Sequence, residues 1–335
     1  MAKRRLTRQQ QERISAIQER RRNKAQQQAE AALVASDSES HLEGTVVARH
    51  GQNLVITDPD GHYVHCLSRQ NIGQVVCGDQ VVWQPTQDDQ GVVTAILPRR
   101  SALVRPNFSG EARALAANIS QIVIVLAPEP PPSPYLVDQY LVAAEQIGVR
   151  TLIALNKRDL MDDGQMTAFN NTFGHYPGIG YPLIRISAKF EHGLDPLIDR
   201  LVDQTSILVG QSGVGKSSLV KALLPDIDIQ IGRLSEASGQ GRHTTSATTL
   251  YQLPSGGRLI DSPGVRSFRL GELSGEQLAN GFIEFREFLG HCRFSNCSHR
   301  QEPGCALLAA VQAGHIHPQR LANYLHMAEG LPSQH

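Results

Sequence analysis

The 335-residue sequence predicts an α/β fold built on a parallel sheet, preceded by a small closed β-barrel and followed by a short helical module. Three observations predict it. Apolar runs at 121–127, 151–155 and 206–209 alternate with helical stretches, the pattern of strands buried on both faces. Five short β-rich runs separated by turn residues fall between Gly44 and Leu97. Three of the five cysteines crowd between Phe288 and Ala306. At about 100–200 residues per domain, the length allows two or three such units.

The elements follow in order. Residues 1–40 form a basic arm: positions 1–28 hold nine Lys/Arg against two acids, a net +7 in a chain whose total is zero. Such an arm either attaches to a polyanion such as nucleic acid or is a solvated terminus without a partner. Met1-Ala2-Lys3-Arg4-Arg5 is followed by Thr, Arg and Gln in place of the apolar core of a secretory signal. No apolar run approaches the roughly 18 residues that span a bilayer. Five cysteines are too few for a disulfide scaffold. The expectation is a cytoplasmic protein with no membrane partner.

Residues 41–105 carry the runs Thr45–Ala48, Asn53–Ile56, Tyr63–Cys66, Gln80–Trp83 and Val92–Ile96, broken by Asp58-Pro59-Asp60-Gly61, Cys77-Gly78-Asp79 and 88–91. An OB-type barrel is the expectation, and an SH3-like barrel gives the same pattern. Residues 106–275 alternate strand and helix: a strand over 121–127, a helix over Pro134–Ile147 opened by Ser133, strands at Thr151–Leu155, Leu183–Ile186 and Ser206–Val209, then a helix over Lys216–Leu224. Residues 276–335 are helical around the Cys/His cluster.

Gly210-Gln211-Ser212-Gly213-Val214-Gly215-Lys216-Ser217 is a complete G-x-x-x-x-G-K-S between a strand and a helix, the context that makes it a phosphate loop. Its glycines let backbone N–H groups wrap a phosphate at the helix N-terminus, with Ser218 in the first turn. Lys216 reaches the β/γ oxygens and Ser217 offers a hydroxyl to Mg²⁺. The base is chosen by Asn156-Lys157-Arg158-Asp159. Asp159 accepts from N1–H and the exocyclic amine of guanine, a donor pair that adenine lacks; Asn156 bonds N7 and the Lys157 stem covers the ring. Ser187-Ala188-Lys189 brings N–H groups towards O6. Together these motifs predict GTP and GDP as ligands.

Their order is unusual. The base-reading motifs precede the phosphate loop, which precedes Thr244-Thr245 and Asp261-Ser262-Pro263-Gly264. Ordinary GTPases place the phosphate loop first, so the order predicts an α/β circularly permuted P-loop GTPase domain, a rearrangement a fold tolerates when its termini lie close together. Asp261 and Gly264 then face the γ-phosphate, and Asp261 serves Mg²⁺ through a water. Val265 stands where Ras-type enzymes carry the Gln that orients the attacking water. His243, in the Gly-rich stretch beside Thr244-Thr245, is the candidate for that task, with Arg242 as a rival charge stabiliser.

Cys292-x4-Cys297-x-His299-x5-Cys305 supplies three thiolates and an imidazole, the donor set of a closed, structural Zn²⁺ site, one per subunit. His291 is an adjacent rival ligand.

A basic arm, an OB-like barrel, a permuted GTPase with Gly241-Arg242-His243-Thr244-Thr245 and Asp261-Ser262-Pro263-Gly264, and this C-terminal cysteine pattern together resemble the RsgA (YjeQ) family of small-subunit-dependent GTPases. The likeness runs from about residue 41 to 320. It implies a bacterial cytoplasmic GTPase acting late in maturation of the small ribosomal subunit, a monomer that binds the subunit through its rRNA and is stimulated by it. It also implies Thr245 as a Mg²⁺ ligand when GTP is bound. Two other readings remain open at this point: a permuted GTPase serving another RNA or protein partner, and a nucleic-acid-binding module with a decayed nucleotide site.

Overall fold

The computed structural model describes residues 41–86, 90–106, 112–190, 192–227, 248–262 and 273–331. The basic arm, the loop residues Arg242, His243, Thr244 and Thr245, and the stretch with Pro263, Gly264 and Val265 lie outside the described residues. The chain divides into two compact units, with the boundary between Pro98 and Arg99.

In the first unit, strands β1 (Leu42–His50), β2 (Asn53–Thr57), β3 (Tyr63–Ser68), β4 (Gln80–Pro85) and β5 (Gln90–Ile96) close into a ring. β1 pairs antiparallel with β2, β2 with β3, and β4 with β5; β3 and β5 run parallel, and β4 returns antiparallel to β1. The crossover that makes β5 parallel to β3 is the Greek-key feature of the OB barrel. It decides between the two barrels the sequence left open, because an SH3-like barrel pairs antiparallel throughout. The alternating inward residues Val46, Leu54, Ile56, Cys66, Val81, Trp83 and Val93 fill the interior. Burial there pushes the Cys66 thiol up to about 12 and so keeps it protonated and unreactive.

The second unit opens with a hairpin, β6 (Ala102–Pro106) and β7 (Ala112–Ala117), that the hydrophobic pattern does not mark. Then come β8 (Gln121–Leu126), α1 (Pro134–Ile147), β9 (Arg150–Leu155), α2 (Asp163–Phe173), α3 (Tyr176–Ile179), β10 (Leu183–Arg185), α4 (Asp195–Leu201), β11 (Thr205–Val209), α5 (Lys216–Leu223), β12 (Thr249–Gln252) and β13 (Arg258–Asp261). Their spatial order is β10-β9-β8-β11-β13-β12, parallel except for β12. All six residues of β8 are buried: Ile122–Leu126 as their unbroken apolar run requires, and Gln121 with its amide donating to the Arg200 carbonyl and Ser206 Oγ. Helix α1 keeps its predicted bounds. The Ser133 side chain accepts from the Leu136 N–H, Pro134 sits in the first turn, and Gly148 ends the helix at φ 67°.

Three further helices, α6 (Gly275–Asn280), α7 (Ala306–Gln312) and α8 (Pro318–Glu329), pack around Phe282, Phe285, Leu307, Ile316, Tyr324 and Met327, and this core includes Val142 of α1. A buried ionic network joins them to α1 at the same place. The fully buried Arg320 donates to Asp138 Oδ1 at 2.6 Å and to both oxygens of Glu284 at 2.6 and 2.9 Å. Asp138 also accepts from the Tyr176 hydroxyl and from Asn323 Nδ2, each at 2.6 Å. The Arg320 guanidinium lies 4.4 Å from the Phe282 ring centroid. A guanidinium removed from water is tolerable only with partners of this quality. The network fixes the helical module to the sheet's α1 helix.

Candidate active site and metal centre

The carboxyl ends of β9, β10, β11 and β13 carry the described motifs, which is where parallel α/β sheets bind ligands. Gly210 leaves β11 at φ 136°, and a Cβ there would lie 2.3 Å from the Val125 carbonyl oxygen on β8. Gly215, at φ 96° before α5, would press a Cβ to 2.5 Å from Asn156 Nδ2. Neither position admits a side chain, so the loop lies flat against β8 and the turn that carries Asn156. Lys216 Nζ donates to the carbonyls of Gly210 at 2.8 Å and Gln211 at 2.6 Å, which curls its ammonium over the concavity of the loop. Ser212, Gly213, Ser217 and Ser218 are exposed at its rim and Val214 is buried beneath it.

The residues expected to read the base are tied to that loop directly. Asn156 is buried; its Nδ2 donates to the Val214 carbonyl at 3.0 Å, leaving its second proton for a ligand. Asn156 Oδ1 has no hydrogen-bond partner among the described residues. Lys157, at φ 58°, donates from Nζ to the Gly213 carbonyl at 2.7 Å, and this stretches its aliphatic stem between the two loops. The Asp159 side chain, 8% exposed, accepts from the Ser187 hydroxyl at 2.6 Å and has Lys189 Nζ 4.0 Å from its other oxygen. Ser187 Oγ in turn accepts from the Lys189 N–H at 3.3 Å. Ser187 therefore aims the Asp159 carboxylate, a role the short motif alone does not disclose. Ala188 and Lys189 are exposed beside it. Gly193, unmarked by the sequence pattern, closes this turn: Ser187 N–H donates to its carbonyl at 3.0 Å.

Asp261 ends β13 and is exposed at the edge of the described region. The adjacent Ser262 hydroxyl meets that of Thr248 at 2.8 Å, joining the turn after β13 to the entry of β12. Gly264, His243 and Thr245 fall outside the described residues.

The C-terminal cluster forms a compact donor set. Cys292, Cys297, His299 and Cys305 bring one ligand atom each to within 4.8 Å of the others, and the rival His291 is not among them. Zinc bonds of about 2.3 Å to sulfur and 2.0–2.1 Å to nitrogen give a tetrahedron with S···S edges of about 3.8 Å and S···N edges of about 3.5–3.6 Å. The observed separations are 4.0 Å for Cys292–Cys305, 3.5 Å for Cys292–His299 Nδ1 and 3.4 Å for His299 Nδ1–Cys305. The residues fit the ion. Loss of solvation raises the Cys297 thiol, against a backbone hydrogen bond from His299 that lowers it, and a cation bound among the sulfurs would favour the thiolate.

The fold and the motif order define a circularly permuted P-loop GTPase. Residues 96–271 match the model of the RsgA GTPase family. The small ribosomal subunit biogenesis GTPase RsgA of Pseudomonas aeruginosa (strain LESB58) is 46% identical over 335 residues, with 99% of each chain covered. Its counterpart in Hahella chejuensis (strain KCTC 2396) is 46% identical, with 100% of this chain and 98% of the relative covered. The crystal structure of YjeQ from Thermotoga maritima superposes with a TM-score of 0.73 at 30% identity, covering 88% of this chain and all of that one. YloQ, a circularly permuted GTPase, gives a TM-score of 0.71 at 27% identity over 89% of this chain and 99% of its own. The chain belongs to the RsgA GTPase family.

Proposed function

We propose that this chain hydrolyses GTP during late maturation of the small ribosomal subunit, that the subunit stimulates the hydrolysis, and that the chain binds it through rRNA as a cytoplasmic monomer. The observation that carries the reading is 46% identity, end to end, with proteins named small ribosomal subunit biogenesis GTPase. The closed barrel and the basic arm suit a polyanionic partner. Among the described residues no helix is long and apolar enough to cross a membrane.

In this reading Asp159 holds guanine by two acceptor oxygens, Asn156 supplies its second Nδ2 proton to N7, and Lys157 and Lys189 flank the ring. Lys216 exchanges the Gly210 and Gln211 carbonyls for phosphate oxygens, and the N–H groups from Ser212 to Ser218 complete the cradle. Ser217 and Thr245 would hold Mg²⁺, with Asp261 acting through a water; the ion screens the phosphate charge. His243 would orient the attacking water, whose oxygen bonds to the γ-phosphorus as the bond to the β–γ bridging oxygen breaks, leaving GDP and inorganic phosphate. Cys292, Cys297, His299 and Cys305 hold one Zn²⁺ that folds the C-terminal module without joining the chemistry. The deciding experiment is the GTPase rate with and without purified small subunits. Stimulation by small and not by large subunits supports the reading; an equal rate in all three conditions overturns it.

A further inference from the structure

The loop between the second and fourth zinc-site residues is organised by a carboxylate outside the donor set. Glu302 Oε1 accepts from the Ser298 N–H at 2.8 Å and from the Ser298 hydroxyl. Its Oε2 accepts from the N–H groups of Arg300 at 2.9 Å and Gln301 at 3.1 Å. Its main-chain carbonyl accepts from the Cys305 N–H at 3.2 Å. Residues 298–301 thus wrap three N–H groups around one anion supplied by their own chain, the concave arrangement in which backbone amides bind anions. At the centre of that wrap His299 holds a left-handed φ of 61°, which a residue with a Cβ rarely adopts unaided. That backbone turn presents Nδ1 to the sulfurs of Cys292 and Cys305 at 3.5 and 3.4 Å.

We propose that Glu302 is a positioning residue for the metal centre: by gathering the N–H groups on both sides of His299 it holds His299, and with it Cys297 and Cys305, in the geometry that takes the ion. This rests on the zinc reading above. Coulomb attraction does not account for the arrangement, because three thiolates around a divalent cation already leave a net negative site beside which another carboxylate gains nothing. What Glu302 contributes is order. Without it, three backbone donors and the His299 turn would depend on water alone, and the loop would pay its conformational entropy when the metal binds.

The two oxygens separate positioning from charge. Glu302→Gln keeps one oxygen for the Ser298 pair, and its amide nitrogen cannot accept from Arg300 and Gln301; Glu302→Ala removes both acceptors. The test uses the full chain, with zinc partitioned against a chromogenic chelator, the visible spectrum of the cobalt-substituted protein, and GDP affinity as the control for folding. Outer-shell partners of metal ligands are worth about 10- to 100-fold in metal affinity. The alanine variant is expected to lose that much and to show a weakened tetrahedral cobalt spectrum; the glutamine variant falls between it and wild type, and GDP affinity stays unchanged. Wild-type zinc affinity and cobalt spectrum in Glu302→Ala would overturn the proposal while sparing the zinc site. Wild-type protein that holds no zinc would overturn the reading beneath both.

Discussion

Replacing Asp159 by Asn tests the base-reading geometry most directly, because the structure fixes how the new amide would sit. The Ser187 hydroxyl donates at 2.6 Å to one carboxylate oxygen, so an asparagine places its oxygen there and its amide nitrogen on the side of Lys189. Guanine N1–H keeps an acceptor. The exocyclic amine then meets an NH₂ group, which removes one hydrogen bond to a charged acceptor and leaves a donor unsatisfied in a site where the Asp159 side chain is 8% exposed. A charge-assisted bond is worth about 1.5–3 kcal/mol and an orphaned donor costs about 1–3 kcal/mol more. The expected loss is about 3–5 kcal/mol, a GDP affinity lower on the order of 10²- to 10⁴-fold. Xanthosine diphosphate, with an oxygen at C2, restores the complement and should bind the variant more tightly than GDP does. Equilibrium displacement of a fluorescent guanine nucleotide measures both. GDP affinity within threefold of wild type, or ATP competing equally with GTP in the unaltered protein, would refute the assignment of Asp159 to the base.

The remaining predictions concern the metal, the buried ion network and the chemistry. Cys297→Ala should release the zinc and expose amides from about residue 292 onward to hydrogen exchange while GDP binding survives; elemental analysis finding no zinc in native protein would end that reading. Arg320→Met strands the buried carboxylates of Asp138 and Glu284, so it should cost about 3–5 kcal/mol. At about 2–4 °C per kcal/mol for a unit of this size, that is a fall in Tm on the order of 6–20 °C, and Asp138→Asn should be milder in that background than alone. His243→Ala should lower the subunit-stimulated GTPase rate on the order of 10²-fold or more while GTP affinity holds. Lys216→Ala should weaken both binding and turnover. Stimulation that persists without His243 moves the search to Arg242.

Local signals carried the site and long-range ones did not. The phosphate loop, the buried strand over Gln121–Leu126 and the helix over Pro134–Ile147 announce themselves through adjacent residues, so pattern alone located them. The hairpin of β6 and β7 did not, because β7 is Ala-Arg-Ala-Leu-Ala-Ala, a composition poor in the branched and aromatic residues that mark strands. Helix α2 hid in a weakly apolar stretch, although Asp162 and Gln165 form a reciprocal capping box that a search for caps would have found. The choice of barrel required a pairing, β3 with β5, that no local run encodes.

The residues that turn separate motifs into one site are of the long-range kind. Asn156 reaches Val214, Lys157 reaches Gly213, and a Cβ at Gly215 would strike Asn156, so the Asn156–Asp159 turn and the Gly210–Ser217 loop are built against each other across more than fifty positions of sequence. Circular permutation leaves those contacts intact, because they depend on the order of strands in space, β9-β8-β11, and not on which strand comes first in the chain. What permutation changes is the chain that follows β13. In an ordinary GTPase the base-binding half comes next; here the chain passes through 263–272 directly into α6 and the helical module, whose Arg320 is clamped to Asp138 of α1. β13 and α6, which flank residues 263–272 in sequence, lie in one unit. Displacing the helical module from α1 would therefore require breaking the buried Arg320–Asp138 pair.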